Sequence, residues 1–208
     1  MYINKQDFFL DPETGLPCGS GSRKIISPTG KIWTYLHNYR TGGVSFHHWC
    51  YDNLKLAHFC TRQHENIKDT RIILGDLGQV FFTVRNPWDW CVSRWSHRIM
   101  RDAEDPPLSF ERWIVEKLAR WSRHREMSYM LLQRSAMEIE KGAIALRFEN
   151  LETDFVQIQE ALQCHVPLPH VNASPHEHYT DYYSAKTRRF VGEIFEDYNK
   201  VFGYKYGE

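Results

Sequence analysis

The stretch Gln79-Val80-Phe81-Phe82-Thr83-Val84-Arg85-Asn86-Pro87-Trp88-Asp89-Trp90-Cys91-Val92-Ser93 decides how the chain is read. Val80 to Val84 is apolar, β-branched and aromatic, the composition of a strand covered on both faces. Asn86 is a helix-capping residue, and Pro87 stands where a first helical residue tolerates its missing N–H. The segment therefore predicts a strand that stops at Arg85 and turns directly into a helix, with Ser93 about two turns along it. An arginine at a strand end beside a helix N-terminus suits a phosphate, and in α/β proteins ligands bind at that edge of the sheet. The segment also fits an ordinary strand-to-helix turn carrying a surface arginine.

A second stretch has the same form. Ile32 to Leu36 predicts a strand, and Tyr39-Arg40-Thr41-Gly42-Gly43-Val44-Ser45-Phe46 a tight loop opening a helix that carries Trp49, Leu54 and Leu56. The glycine pair lets the backbone approach a ligand closely. Successive N–H groups there, with the helix dipole behind them, make an anion-binding concavity, and Arg40 adds a full charge at its entrance.

These segments resemble the two cofactor-binding elements of the sulfotransferases that use 3′-phosphoadenosine 5′-phosphosulfate (PAPS). Arg40-Thr41-Gly42-Gly43-Val44-Ser45 is similar to the family loop Pro-Lys-Thr-Gly-Gly-Thr-Ser, which holds the 5′-phosphosulfate. Val84 to Asp89 with Ser93 is similar to the element that holds the 3′-phosphate. Leu146-Arg147-Phe148-Glu149-Asn150-Leu151-Glu152 resembles a strand-to-helix motif of carbohydrate-type members. Leu168 to Ser174, Tyr179 to Tyr183 and Phe202-Gly203-Tyr204 follow the family's C-terminal pattern, so the likeness runs in order from residue 32 to 206. It implies a three-layer α/β fold, a central parallel sheet flanked by helices in the P-loop-like sulfotransferase arrangement. Residues 1–208 form a single domain in this reading, 1–30 an irregular arm or small hairpin and 31–208 the core. It also implies PAPS as donor, PAP as product, and a carbohydrate or glycolipid hydroxyl as acceptor.

Two departures stand in the loop. The family has lysine where this chain has Arg40, and proline where it has Tyr39. Lysine is a compact charge able to follow a departing oxygen, whereas arginine brings a planar fork of different reach. The change bears on transfer more than on binding.

Sulfuryl transfer asks for cations and N–H donors at the leaving oxygen and a base for the acceptor hydroxyl. Arg40 and the N–H groups of Thr41, Gly42, Gly43, Val44, Ser45 and Phe46 supply the first. Arg85 and Ser93 would fix the 3′-phosphate, though Ser45 also reads as a helix cap and Ser93 as a serine bonding its own backbone. The candidate bases are His64, Glu65, His37, His47, His48 and His97. His64 is favoured because it resembles a family histidine on the acceptor side. Asn172 and Ser174 lie in a polar loop with His170 that either closes over the nucleotide or is a plain surface turn.

Composition narrows the alternatives. The 208 residues carry a formal net charge of zero, which gives no footprint for nonspecific nucleic-acid binding. Aromatic residues make up 14%, which points to core and pocket walls and isolates no interface. The five cysteines are odd in number and without a Cys-x-x-Cys pair, a pattern of reduced thiols. Met1 to Asp7 lacks the apolar centre of a signal peptide and no stretch reaches transmembrane length, so a cytoplasmic protein is expected. His47-His48 and His176-x-His178 lack zinc-site spacing, so no metal is expected. Thr29-Gly30-Lys31 imitates a nucleotide-binding P-loop, but Ile25 stands where its first glycine belongs. A P-loop kinase is therefore the weaker alternative, behind a sulfotransferase homologue impaired by Arg40.

Overall fold

The computed structural model describes residues 21–54, 59–60, 67–102, 108–120, 141–171 and 176–208. Two compact units emerge, one from Met1–Val84 with Glu138–Val171 and the other from Arg85–Met137 with Asn172–Glu208.

The first unit holds a mixed, mostly parallel sheet. Its described strands are β1 (Arg23–Ile26), β2 (Ile32–Leu36), β3 (Phe59–Cys60), β4 (Gln79–Val84) and β5 (Ile144–Arg147), in the order β3-β1-β2-β4-β5. β2, β4 and β5 are parallel, with Tyr35 beside Phe81 and Phe81 beside Ile144. β1 is antiparallel to both its neighbours, which corrects the expectation of a wholly parallel sheet. The cause is local. Ser27 to Lys31 closes a hairpin in which the Ser27 N–H donates to the Lys31 carbonyl at 2.9 Å and Gly30 adopts φ 79°. Only a reversed strand can follow so short a connection. The same hairpin settles Thr29-Gly30-Lys31 as a turn between antiparallel strands, and it brings the end of the expected irregular arm into the sheet. Residues 1–20 lie outside the described residues.

β4 is buried along both faces, as its unbroken apolar run predicts. Phe81 joins a core with Ile25, Tyr35, Leu146 and, from α1 (Gly43–Asn53), Phe46, Trp49 and Cys50. Phe155, Ile158 and Leu162 complete it from the helical stretch after β5. The Tyr35 and Phe46 rings lie 4.3 Å apart, and Trp49 meets Phe155 edge-on at 4.9 Å. Losing one such ring costs about 3–5 kcal/mol. α2 (Ile67–Leu74) precedes β4, and Lys24 of β1 donates to the Leu74 carbonyl at 2.9 Å.

The second unit is helical. α3 (Pro87–Asp102) and α4 (Phe110–Trp113) are followed by a π-helical turn, Ile114–Leu118, and later by Ala185–Ile194 and Glu196–Phe202. Ser109, whose place ahead of the apolar face of Phe110, Trp113 and Ile114 predicts a cap, does cap α4, accepting from the Arg112 N–H. The apolar spacing of Phe190, Val191, Ile194, Phe195, Val201 and Phe202 predicts one helix over 185–202, and two stand there instead, because Phe195 leaves helical geometry at φ −102°, ψ 23°. Its ring remains buried against Trp90. The sequence also predicts a helix over 127–138, and that stretch lies outside the described residues. No helix among the described residues is long and apolar enough to cross a membrane.

Candidate anion-binding segments

The loop between β2 and α1 is built around two left-handed residues. Arg40 has φ 58° and Gly42 φ 87°. Left-handed geometry costs a non-glycine residue roughly 1–2 kcal/mol, so Arg40 is held there by its surroundings. Thr41 is fully buried and its hydroxyl donates to the Asn38 carbonyl at 2.9 Å. The Asn38 amide reaches across to the Thr83 carbonyl at 3.0 Å, tying the loop's entrance to the end of β4. The loop is thereby fixed before any ligand arrives.

Gly42 is the residue before α1, and the first helical bond runs from the Phe46 N–H to its carbonyl at 3.2 Å. The N–H groups of Gly43, Val44 and Ser45 precede that bond and face out of the helix end, as in every α-helix. Each glycine answers a demand of the backbone, Gly42 through its positive φ and Gly43 through a close approach. A β-carbon on Gly42 would lie 3.1 Å from Leu151 and 3.5 Å from Phe148, and one on Gly43 would collide with the His37 ring. The Arg147-to-Glu152 motif thus has a physical role, since two of its side chains press on the loop. Its turn is locked by Asp154, whose carboxylate accepts the Arg147 N–H at 2.6 Å.

Ser45 is buried, and its oxygen accepts the Val171 N–H at 3.2 Å. A hydroxyl that accepts one bond keeps a proton to give. Phe46, expected among the binding residues, contributes its ring to the core and donates its N–H to the Gly42 carbonyl. His64, Glu65, Asn172 and Ser174 lie outside the described residues. Of the other candidate bases, His37 is buried beneath Gly43, His47 and His97 are half-buried, and His48 is exposed.

In the second unit the turn Arg85-Asn86-Pro87 has the predicted form. The Asn86 side chain accepts the Trp88 N–H at 3.0 Å, and α3 starts at Pro87. Arg85 is 6% exposed, so it is no surface arginine. Its Nε–H donates to Asp89 at 2.6 Å, which fixes the guanidinium plane along α3. Ser93, one turn beyond Asp89 on the same face, is wholly buried.

What the sequence did not disclose is how this turn is held. Tyr198 bonds both backbone groups of Arg85, at 3.2 Å and 3.3 Å. Asn86 donates to the Lys205 carbonyl at 3.1 Å, and the Tyr183 hydroxyl donates to the Trp88 carbonyl at 2.9 Å. The Trp88 indole donates to the Arg188 carbonyl at 2.9 Å. The C-terminal tyrosines therefore clamp the turn. The signal was their density between Tyr179 and Tyr206 beside a buried polar turn that needed partners.

Among the described residues no three His, Cys, Asp or Glu side chains gather as a metal site. Cys50, Cys91 and Cys164 are free thiols, and burial pushes the first and second far above the ordinary thiol value. They are packing groups at neutral pH. Comparison with family models, with curated proteins and with solved structures returns no match.

Proposed function

We propose that the chain is a PAPS-dependent sulfotransferase of P-loop-like architecture, acting on a hydroxyl of a carbohydrate or glycolipid. The observation that carries the reading is the Arg40-to-Ser45 loop. It is a pre-tied turn with one glycine at positive φ and another packed against the His37 ring, a cation at its entrance and a helix N-terminus behind it. Such a device suits the 5′-phosphosulfate end of the donor. Arg85, buried at the turn into α3, and Ser93, buried on α3, are assigned to the 3′-phosphate. His64 is assigned as base, and Asn172 and Ser174 as further nucleotide contacts, by resemblance alone. No metal is needed, because the sulfuryl group carries less charge than a γ-phosphoryl group. A cytoplasmic site of action accords with the free thiols.

Purified protein should bind adenosine 3′,5′-bisphosphate in calorimetry and transfer labelled sulfate from PAPS to a member of an oligosaccharide panel. Absence of nucleotide binding would remove the reading.

One observation favours a second reading, that of a nucleotide-binding homologue without turnover. Arg40, in place of lysine, occupies a strained left-handed conformation. Tight product binding without transfer, with transfer appearing in Arg40→Lys, would select it. A P-loop kinase gains nothing from the geometry. Its nearest phosphate-loop imitation is the β1–β2 hairpin turn.

A further inference from the structure

The first unit buries a second cation that the reading above leaves unused. Arg23 of β1 is 4% exposed and stands opposite Tyr35. Its Nε–H donates to Nδ1 of His47 at 3.2 Å, and Nε2 of His47 meets Nδ1 of His37 at 3.3 Å. Arginine can only donate, so Nδ1 of His47 must accept. The proton of His47 therefore sits on Nε2 and is given to His37, whose own proton is left on Nε2. That nitrogen lies on the ring edge packed against Gly43. The row is directed from β1, through α1, to the first residue of the loop's helix.

Among the described residues no carboxylate pairs with Arg23. Against His47 stand, among others, Arg23 from β1, Tyr35 from β2, His37 just after it and the Phe46 ring. Cys50 lies one turn along His47's own helix, its thiol protonated by burial and within the field of Arg23. No anion among them balances the guanidinium. An uncompensated buried charge is costly, and it is stabilised when an anion settles within its field.

We propose that Arg23 is the positioning cation of the Arg40-to-Ser45 loop. Acting through His47 and His37, it holds both imidazoles neutral in one tautomer and leaves a positive charge behind the loop for a sulfate or phosphate group to neutralise. This rests on the loop taking an anion, the reading given above, and two probes keep the failures apart. Adenosine 3′,5′-bisphosphate tests the nucleotide reading, and inorganic sulfate tests the row of side chains alone.

Binding of both is measured between pH 6 and pH 8.5, with thermal melts alongside. At pH 8, Arg23→Met should weaken each about tenfold, the worth of one charge across a partly screened interior. The loss should shrink towards pH 6, because without the guanidinium Nδ1 of His47 can take a proton and restore the cation. Arg23→Lys should recover most of the affinity at every pH. A loss that is flat with pH and unrecovered by lysine, or no loss at all, overturns the proposal. If Arg23→Met does not fold, His47→Gln and His47→Leu decide the matter. Glutamine can accept from Arg23 and donate to His37, so it should retain most of what leucine loses, and equal losses overturn the proposal.

Discussion

The hydroxyl of Tyr198 grips the backbone of Arg85 at two points, accepting its N–H at 3.2 Å and donating to its carbonyl at 3.3 Å. β4 ends one residue earlier, so this grip falls where the strand gives way to the turn. Tyr198→Phe keeps the ring stacked on Tyr204 and removes both bonds. It should cost about 1–3 kcal/mol in urea denaturation and weaken bisphosphate binding as the turn loosens. An unchanged midpoint together with unchanged affinity would refute the role.

Arg85→Ala removes the charge assigned to the 3′-phosphate. Charge-assisted bonds contribute about 1.5–3 kcal/mol, so calorimetry should read a fall of roughly 10- to 100-fold for adenosine 3′,5′-bisphosphate. Adenosine 5′-phosphate should bind the variant as it binds the parent. Equal losses for the two nucleotides would mean that Arg85 does not touch the 3′ end. Arg85→Lys should restore only part of the affinity, since a point charge cannot keep the Asp89 bond and a bidentate anion together.

Gly43→Ala places a methyl group in the His37 ring. Overpacking of this kind costs about 1–3 kcal/mol and should open the loop. His37→Ala in the same chain makes room for the methyl and should return part of the lost melting temperature. A single variant as stable as the parent would show that the close approach is not as drawn.

Arg40→Lys tests transfer against binding. Lysine carries the same charge, so the affinity for the bisphosphate should change by less than about threefold. Turnover of PAPS should rise, because the smaller ammonium can follow the departing oxygen. A drop in turnover would instead make Arg40 the residue this loop is built for.

Alkaline stability follows from burial. Desolvation pushes the Tyr35 hydroxyl from 10.0 up to about 12, and raises Tyr183 well above the same ordinary value. Cys50 and Cys91 are raised far above 9.0 by the same cause. The unfolded chain gives up these protons first. Each group thus stabilises the fold fully below its unfolded value and loses that share as pH climbs towards the folded one. Stability should fall from about pH 9 upward, by up to about 1.4 kcal/mol per pH unit for each group titrating only in the unfolded chain. A flat denaturation midpoint between pH 8 and 11 would contradict it. In the folded protein, thiol reagents at pH 8 should leave Cys50 and Cys91 unmodified.

The sequence spoke most plainly where one residue type answers one backbone demand. Asn86-Pro87 announced a helix start, Ser109 a cap, and Gly42-Gly43 a close approach, and each is present in that role. The run from Val80 to Val84 announced a doubly covered strand. The direction of β1 was hidden because it depends on pairing across the Ser27-to-Lys31 turn, while the glycine and proline content around it reads equally as an arm. Tyr198 and Arg23 were hidden for a related reason. Their partners lie 113 and 24 residues away, and neither periodicity nor propensity carries such distances. That the Phe46 ring belongs to the core was not legible in the loop motif, because a motif marks a segment while the helix turn decides which of its residues face inward.

Gly78 precedes β4 at φ 55°, and a β-carbon there would strike the Ile32 carbonyl where β2 begins. The two backbones approach so closely that only hydrogen fits between them. A bulkier residue would have to push β4 along its neighbour, and a shift of one position would turn Phe81 and Thr83 to the side now held by Phe82 and Val84. Everything downstream is counted from that point, since Arg85 is simply the seventh residue after Gly78. A hydrogen atom at the mouth of the strand thereby sets which side of the sheet each later residue of β4 takes.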